Sequence, residues 1–336
     1  MPALPRAHGG LTAVTMLGTD RRPTGVRPGR SRPLVRWILL ILPVLVVAAG
    51  CVPGGSSGAA TPEPSSDPNA LHVVTTTTVL ADLVRNVGGS RTDVHSIVPA
   101  GVGPEDYEPK PDDAKSLAGA DLIVSNGVGL DDFLDRLLGS SGNAGAPRLV
   151  LGDGLPAIDV DGEANPHFWL DPTIVKRGYL PKIVDGLSRL DPPHGATFGA
   201  NAAAYGARLD ALDAELKAEV ATIPAANRQL VTFHDAYPYL AAHFGFDLVG
   251  VVLPSPGQEP TAGALAGLVQ AVRATGVKAV FGEAQSNPKL ARTLADEAGI
   301  DRVVTALYND ALGPAPADTY LGMMRWDMDR IAEALR

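Results

Sequence analysis

PHGATFGANAAAYGARLDALDAELKAEVATI, residues 193–223, is the stretch on which the architecture turns. Ala, Leu, Glu and Lys dominate it. Leu209, Leu212, Leu216 and Val220 recur at steps of three and four, the spacing that lays an apolar stripe along one face of a helix. Gly195, Gly199 and Gly206 weaken its first half by roughly 1 kcal/mol each relative to alanine, so a break near Gly206 into two packed helices is the competing reading. Unbroken, a helix of about 30 residues at ~1.5 Å per residue runs ~45 Å, the dimension of a pair of lobes. Such a helix is a stiff spine joining two halves.

Both flanks have the same texture. Residues 71–76, 93–98, 121–125 and 148–151 on one side, and 229–232, 247–253, 278–281 and 302–305 on the other, are short β-rich runs. Helical patterns fall between them at 79–87, 111–118 and 131–138, then at 236–244, 261–275, 287–298 and 317–335. Strands alternating with helices predict parallel sheets covered by helices. The expected fold is therefore α/β: two lobes, each with a mainly parallel sheet flanked by helices, joined by one long backbone helix. The boundaries are 71–192 for the first lobe, 193–223 for the link and 224–336 for the second.

The first 70 residues have another character. Residues 1–50 hold seven of the chain's 28 basic residues and one of its 37 acidic ones, so the remaining residues carry 21 against 36, a net of −15. Arg27, Arg30, Arg32 and Arg36 precede a 13-residue apolar run, 37–49, interrupted by Pro43. That is short for a membrane span and suits a signal-peptide core. The run ends Ala48-Ala49-Gly50-Cys51, which resembles a lipobox, so 1–50 reads as a signal peptide and Cys51 as a lipidation site. The Gly/Ser/Pro-rich stretch 51–70 reads as a flexible tether. A single cysteine excludes a disulfide framework and a Cys-rich zinc cluster. The net charge of −9 over the whole chain has the wrong sign for a protein that neutralises nucleic-acid phosphates.

The residues that carry chemistry lie at the edges of the expected strands. Gly103-Pro104-Glu105-Asp106-Tyr107-Glu108-Pro109 offers carboxylates on a loop. Asn165-Pro166-His167-Phe168-Trp169-Leu170-Asp171-Pro172 sets an imidazole just before a helix start. His234 follows the apolar run 229–232, and Glu283 follows 278–281. Strand carboxyl ends face the crevice in which open α/β sheets bind ligands. Asp318 stands at the start of the last helical pattern, where an acid also serves as a cap. Two imidazoles and several carboxylates, with no thiolate, suit Zn²⁺, Mn²⁺ or Fe²⁺.

Five motifs then occur in one order along the chain: Tyr107-Glu108-Pro109, Ala120-Asp121-Leu122-Ile123 with Asn126-Gly127, Pro166-His167-Phe168-Trp169-Leu170-Asp171-Pro172, His234-Asp235-Ala236-Tyr237, and Asp318-Thr319-Tyr320 with Met323-Met324. In these the chain resembles the zinc/manganese solute-binding lipoproteins of bacterial ABC importers. The resemblance implies a metal held between the lobes, an importer permease as partner, a lipid anchor on the extracytoplasmic face of the cell membrane, a monomer and no enzymatic activity. It also implies His167, His234 and Asp318 as ligands. The first ligand departs from the family's pattern: Glu105 stands where a histidine is usual, with Asp106 the alternative after a one-residue shift. Glu283 is a further ligand or a residue supporting one. A carboxylate in place of an imidazole hardens the site, and residues 139–165 contain no histidine. Both features incline the cargo toward Mn²⁺, with Zn²⁺ as the other candidate.

Two other functions compete. A metallohydrolase would need an open metal position and a general base, a role for which Glu283 is available. A surface lipoprotein or adhesin-like module with a weakened or lost metal site would follow if Glu105 cannot replace the missing imidazole.

Overall fold

A computed structural model describes residues 67–336 except Asp106 and 254–260. The expected signal peptide, Cys51, most of the tether and Asp106 lie outside the described residues.

Thr77 ends the first strand and opens the first helix in one residue, its hydroxyl accepting from Leu80 N at 3.3 Å. The order is β1 (Leu71–Thr75), α1 (Thr78–Gly88), β2 (Thr92–Ser96), α2 (Pro111–Ala118), β3 (Leu122–Ser125), α3 (Phe133–Ser141) and β4 (Arg148–Val150). A hairpin of β5 (Asp159–Val160) and β6 (Glu163–Ala164) leads to α4 (Pro172–Ile174), a π-helical turn (Val175–Tyr179) and α5 (Leu180–Leu190). After α6 (Gly195–Ala221) come β7 (Gln229–Thr232), α7 (Pro238–Phe244), β8 (Asp247–Val251), α8 (Ala262–Thr275), β9 (Ala279–Glu283), α9 (Pro288–Ala298), β10 (Arg302–Leu307) and α10 (Tyr320–Leu335).

The strands form two four-stranded sheets, β2-β1-β3-β4 and β10-β9-β7-β8, with the pairs inside each running parallel. Read from the first strand of each half, both follow the winding 2-1-3-4. The chain leaves the first strand toward one edge and returns to build the other edge. The carboxyl ends around this reversal flank a crevice, and the two halves bring two such crevices to one place.

The spine is one 27-residue helix with no break at Gly206. Its stripe explains why: Leu209, Leu212, Leu216 and Val220 are all buried in a core cluster that takes residues from both halves, including Leu83 of α1, Ile183 of α5 and Met328 of α10. Tertiary burial outweighs the glycine penalty. Ion pairs reinforce its flanks, from Lys176 to Asp210 at 2.5 Å and from Arg325 to Glu215 at 2.8 Å. Leu212 is fully buried. Leu212→Ala is expected to cost about 2–5 kcal/mol and to lower the urea midpoint of both halves in a single transition, because one cluster spans them. Among the described residues no helix is long and apolar enough to cross a membrane.

Candidate metal centre

Segments at the carboxyl ends of the strands deliver the site. β7 ends at Thr232, and two residues later His234 enters the crevice, 2% exposed. β9 ends on Glu283, 3% exposed. β10 ends at Leu307, and Asp310 follows three residues on, 2% exposed. From the first half, the loop after β2 carries Glu105, and the segment after the β5–β6 hairpin carries His167, 2% exposed.

Ligand atoms of Glu105, His167, His234 and Asp310 all lie within 4.8 Å of one another. The two imidazoles face each other, His167 Nε2 to His234 Nε2 at 3.3 Å. The Asp310 carboxylate spans them, Oδ1 at 3.3 Å from His167 Nε2 and Oδ2 at 3.7 Å from His234 Nε2. Glu105 is the exposed member and closes the set on the solvent side. A cavity of about 380 Å³ opens beside it, lined by Gly103, Phe233, His234, Gln285 and Asp310 among others.

Hydrogen bonds behind the rings decide which nitrogens face the centre. His234 Nδ1 is 2.6 Å from Glu283 Oε1, and Ser286 Oγ donates to the other Glu283 oxygen at 3.1 Å. His167 Nδ1 is 3.0 Å from Asn165 Oδ1. A carboxylate and an amide oxygen only accept, so both Nδ1 atoms donate and both Nε2 atoms turn inward. With neutral rings, two nitrogen lone pairs and a carboxylate converge on one point, with Asn309 Nδ2 as a neutral donor 3.2 Å from His234 Nε2; a cation would satisfy all three at once. Asp310 Oδ1 is buried and has no satisfied hydrogen bond among the described residues, which fits an oxygen that would bind a cation.

The electrostatics agree. Burial pushes the His234 pKa down, but the carboxylates of Glu283 and Asp310 outweigh it and lift it to about 10. Burial pushes the Asp310 carboxyl up, and attraction to His234 and His167 outweighs that and holds it below the usual carboxylate range. Loss of hydration raises the Glu105 carboxyl, His167 opposing and Asp310 assisting.

The loop bearing His167 is anchored from below. Asn126, fully buried at the end of β3, donates to Pro166 O at 3.0 Å and accepts from Tyr179 of the π-helical turn. Gly127 beside it has φ +78°, and a Cβ there would lie 2.4 Å from Val150, so this turn requires glycine. Trp169 reaches across to the other half, its Nε1 donating to Asn309 O at 2.7 Å.

The structure brings Glu105, His167 and His234 together and sets Asp310 with them, while Asp318 stands apart. Asp318 is exposed and stands just before Thr319, the residue that caps α10 by accepting from Gly322 N at 3.1 Å. Asp310 occupies the place expected of it. The reason is topological: the end of β10 enters the crevice, whereas residues 311–317 carry the chain away to α10. Leu312 holds that departing loop, its N–H donating to Thr78 Oγ1 at 2.8 Å and its carbonyl accepting from Gly101 N at 3.1 Å. Tyr308-Asn309-Asp310 directly follows an apolar run, the same signal that picks out His234 and Glu283. Glu283 is outside the converging set and holds His234. Both of its oxygens accept hydrogen bonds, from His234 Nδ1 and Ser286 Oγ. Asn165 lies inside a stretch the sequence singles out, with no role assigned to it there.

A model of the zinc-uptake complex component A (ZnuA) family, described as periplasmic, matches residues 73–334. The manganese-binding lipoprotein MntA of Halalkalibacterium halodurans is 33% identical over 304 residues, 90% of this chain and 98% of that protein. The metal ABC transporter substrate-binding lipoprotein SsaB of Streptococcus sanguinis is 30% identical over 293 residues, 81% of this chain and 91% of that protein. Among solved structures, the periplasmic zinc binding protein TroA from Treponema pallidum superposes with a TM-score of 0.73 at 27% identity, covering 79% of this chain and 99% of its own.

Proposed function

The chain belongs to the zinc-uptake complex component A family, whose members are solute-binding receptors rather than enzymes, and from that premise we propose that it captures a divalent transition metal outside the membrane and passes it to an ABC importer permease. The observation that carries this reading is the convergence of Glu105, His167, His234 and Asp310 within 4.8 Å, with both Nε2 atoms turned inward. Glu105 and His167 come from the first lobe, 71–192; His234 and Asp310 come from the second, 224–336; residues 193–223 link them. Metal capture then bridges the lobes, and the stiff spine keeps any closing movement small.

Two imidazoles and two carboxylates make a donor set that accepts both Mn²⁺ and Zn²⁺. Glu105, an oxygen donor where an imidazole is usual, favours Mn²⁺, with Zn²⁺ as competitor. The names of two relatives support this pair, MntA as manganese-binding and TroA as zinc binding. SsaB, named as a substrate-binding lipoprotein of a metal ABC transporter, supports the permease partner and the lipid anchor, which belongs at Cys51. The protein acts as a monomer on the extracytoplasmic face of the membrane.

A ligand at about 100 times its Kd stabilises the folded state by about 2.7 kcal/mol, which for a chain of this size raises Tm by about 5–10 °C. Mn²⁺ or Zn²⁺ is expected to produce such a rise, and His234→Ala to remove it. Differential scanning calorimetry with elemental analysis of the purified protein reads both. A full shift in the variant contradicts the assigned site.

A further inference from the structure

We propose that Asn165 is a positioning residue for the metal, its one carboxamide fixing the tautomer of His167 and tying that ring to the loop that carries His234. The inference rests on the metal-binding reading above and extends it to a residue that touches no metal.

Asn165 is 5% exposed, and each of its polar groups is engaged. Oδ1 accepts from the His167 backbone N–H at 3.1 Å and lies 3.0 Å from His167 Nδ1. Nδ2 donates across the cleft to Asp235 O at 2.6 Å, with Asp235 Oδ2 at 3.4 Å. The backbone carbonyl accepts from Tyr239 Oη at 2.8 Å.

This network leaves the amide one orientation. A peptide N–H requires an acceptor and a peptide carbonyl requires a donor, so Oδ1 must face His167 N and Nδ2 must face Asp235 O. With Oδ1 so placed, His167 Nδ1 can only donate to it, and Nε2 is committed to the centre. The opposite end of the amide grips the residue next to His234. One side chain therefore sets both the direction of one donor nitrogen and its distance from the other, the 3.3 Å separation of the two Nε2 atoms. Glu283 performs the first task for His234 from within its own half. Asn165 performs it for His167 and reaches the opposite half as well.

Calorimetric titration of the purified protein with Zn²⁺, and separately with Mn²⁺, tests this in three variants. Asn165→Ala removes both tasks and is expected to weaken binding about 10–100-fold, the usual cost of losing an outer partner of a ligating histidine. Asn165→Asp keeps an acceptor for Nδ1 and loses the donor to Asp235 O. It is expected to lower Tm and to weaken binding clearly less than Asn165→Ala, because the ring keeps its outer partner while the tie across the cleft is lost. Tyr239→Phe breaks the hydrogen bonds to Asn165 O and from Ile158 N at 3.0 Å along the same seam without touching His167. It is expected to lower Tm and to leave affinity unchanged. In the ¹⁵N spectrum of the zinc-loaded wild type, His167 Nδ1 is expected to carry a slowly exchanging proton that Asn165→Ala releases to solvent. The proposal is overturned if Tyr239→Phe weakens binding as much as Asn165→Ala, if Asn165→Asp binds as poorly as Asn165→Ala, or if Asn165→Ala binds normally. Wild-type protein that binds neither metal overturns the functional reading itself, an outcome distinct from all of these.

Discussion

Asp310→Ala is expected to abolish measurable Mn²⁺ and Zn²⁺ binding, and Asp318→Ala to leave it within about twofold of wild type. Asp310 is the carboxylate that spans both inward nitrogens, at 3.3 and 3.7 Å, and its Oδ1 is a buried acceptor with nothing else to satisfy it. Removing an outer partner of a ligand already costs about 10–100-fold, and loss of a direct ligand exceeds that. Metal-free Asp310→Ala also leaves the His234 cation with Glu283 alone, so its apo Tm is expected to fall. Asp318 is exposed at the approach to α10 and touches none of the ligating atoms, and a surface substitution of this kind stays within about 0.5 kcal/mol in stability. Titration calorimetry on the two variants separates the assignments. Loss of binding in Asp318→Ala with retention in Asp310→Ala would make Asp318, and not Asp310, the fourth ligand.

Affinity is expected to rise steeply with pH, with about one proton released for each metal bound. In the metal-free protein His234 titrates at about 10, so its ring is an imidazolium at neutral pH. Its Nδ1 proton stays with Glu283, and the metal must displace the one on the Nε2 side. Around neutral pH, each pH unit is then worth about 1.4 kcal/mol of binding. The metal-free fold runs the other way. A histidine whose folded pKa is raised above its unfolded value of 6.5 contributes stability that is complete below pH 6.5 and is lost as the pH climbs toward 10. The metal-induced rise in Tm is therefore expected to widen between pH 6 and pH 8. Calorimetry in two buffers of different ionisation enthalpy counts the proton directly, and a count of zero contradicts a proton carried by His234 in the metal-free protein. On acidification, the raised Glu105 carboxyl protonates before the depressed Asp310 carboxyl.

The elements with strong periodicity were legible in the chain. The apolar stripe of Leu209, Leu212, Leu216 and Val220 marked the spine, and the runs at 229–232 and 111–118 match β7 and α2 residue for residue. The region from 159 to 190 was not legible, because strands of two residues carry no period. A π-helical turn likewise leaves a pattern that a period of 3.6 does not describe. Of the site, His167, His234 and Glu283 stood out because each ends or follows an apolar run or sits before a capped helix. Asp318 stood out for a reason that proved local: acids near helix starts are common, and Thr319 is the actual cap. Asp310 met the strand-end criterion equally well, but the contact that distinguishes it, with His167 of the other half, spans 143 positions of chain and leaves no trace in local pattern.

Alternation of strands and helices, the spine's apolar stripe and the five ordered motifs were properties of the chain alone, because propensity and burial act over windows of a few turns. They determined two α/β halves, a long joining helix, and a nitrogen-and-oxygen donor chemistry from which thiolate is absent. Only the tertiary structure decided which carboxylate completes the set, which nitrogen of each ring faces it, and that Asn165 and Glu283 hold those rings in place. Those choices depend on segments at the carboxyl ends of the strands meeting in one crevice. Angstrom-scale distances between residues far apart in sequence are set there by how the two sheets share a core, and no local signal encodes that.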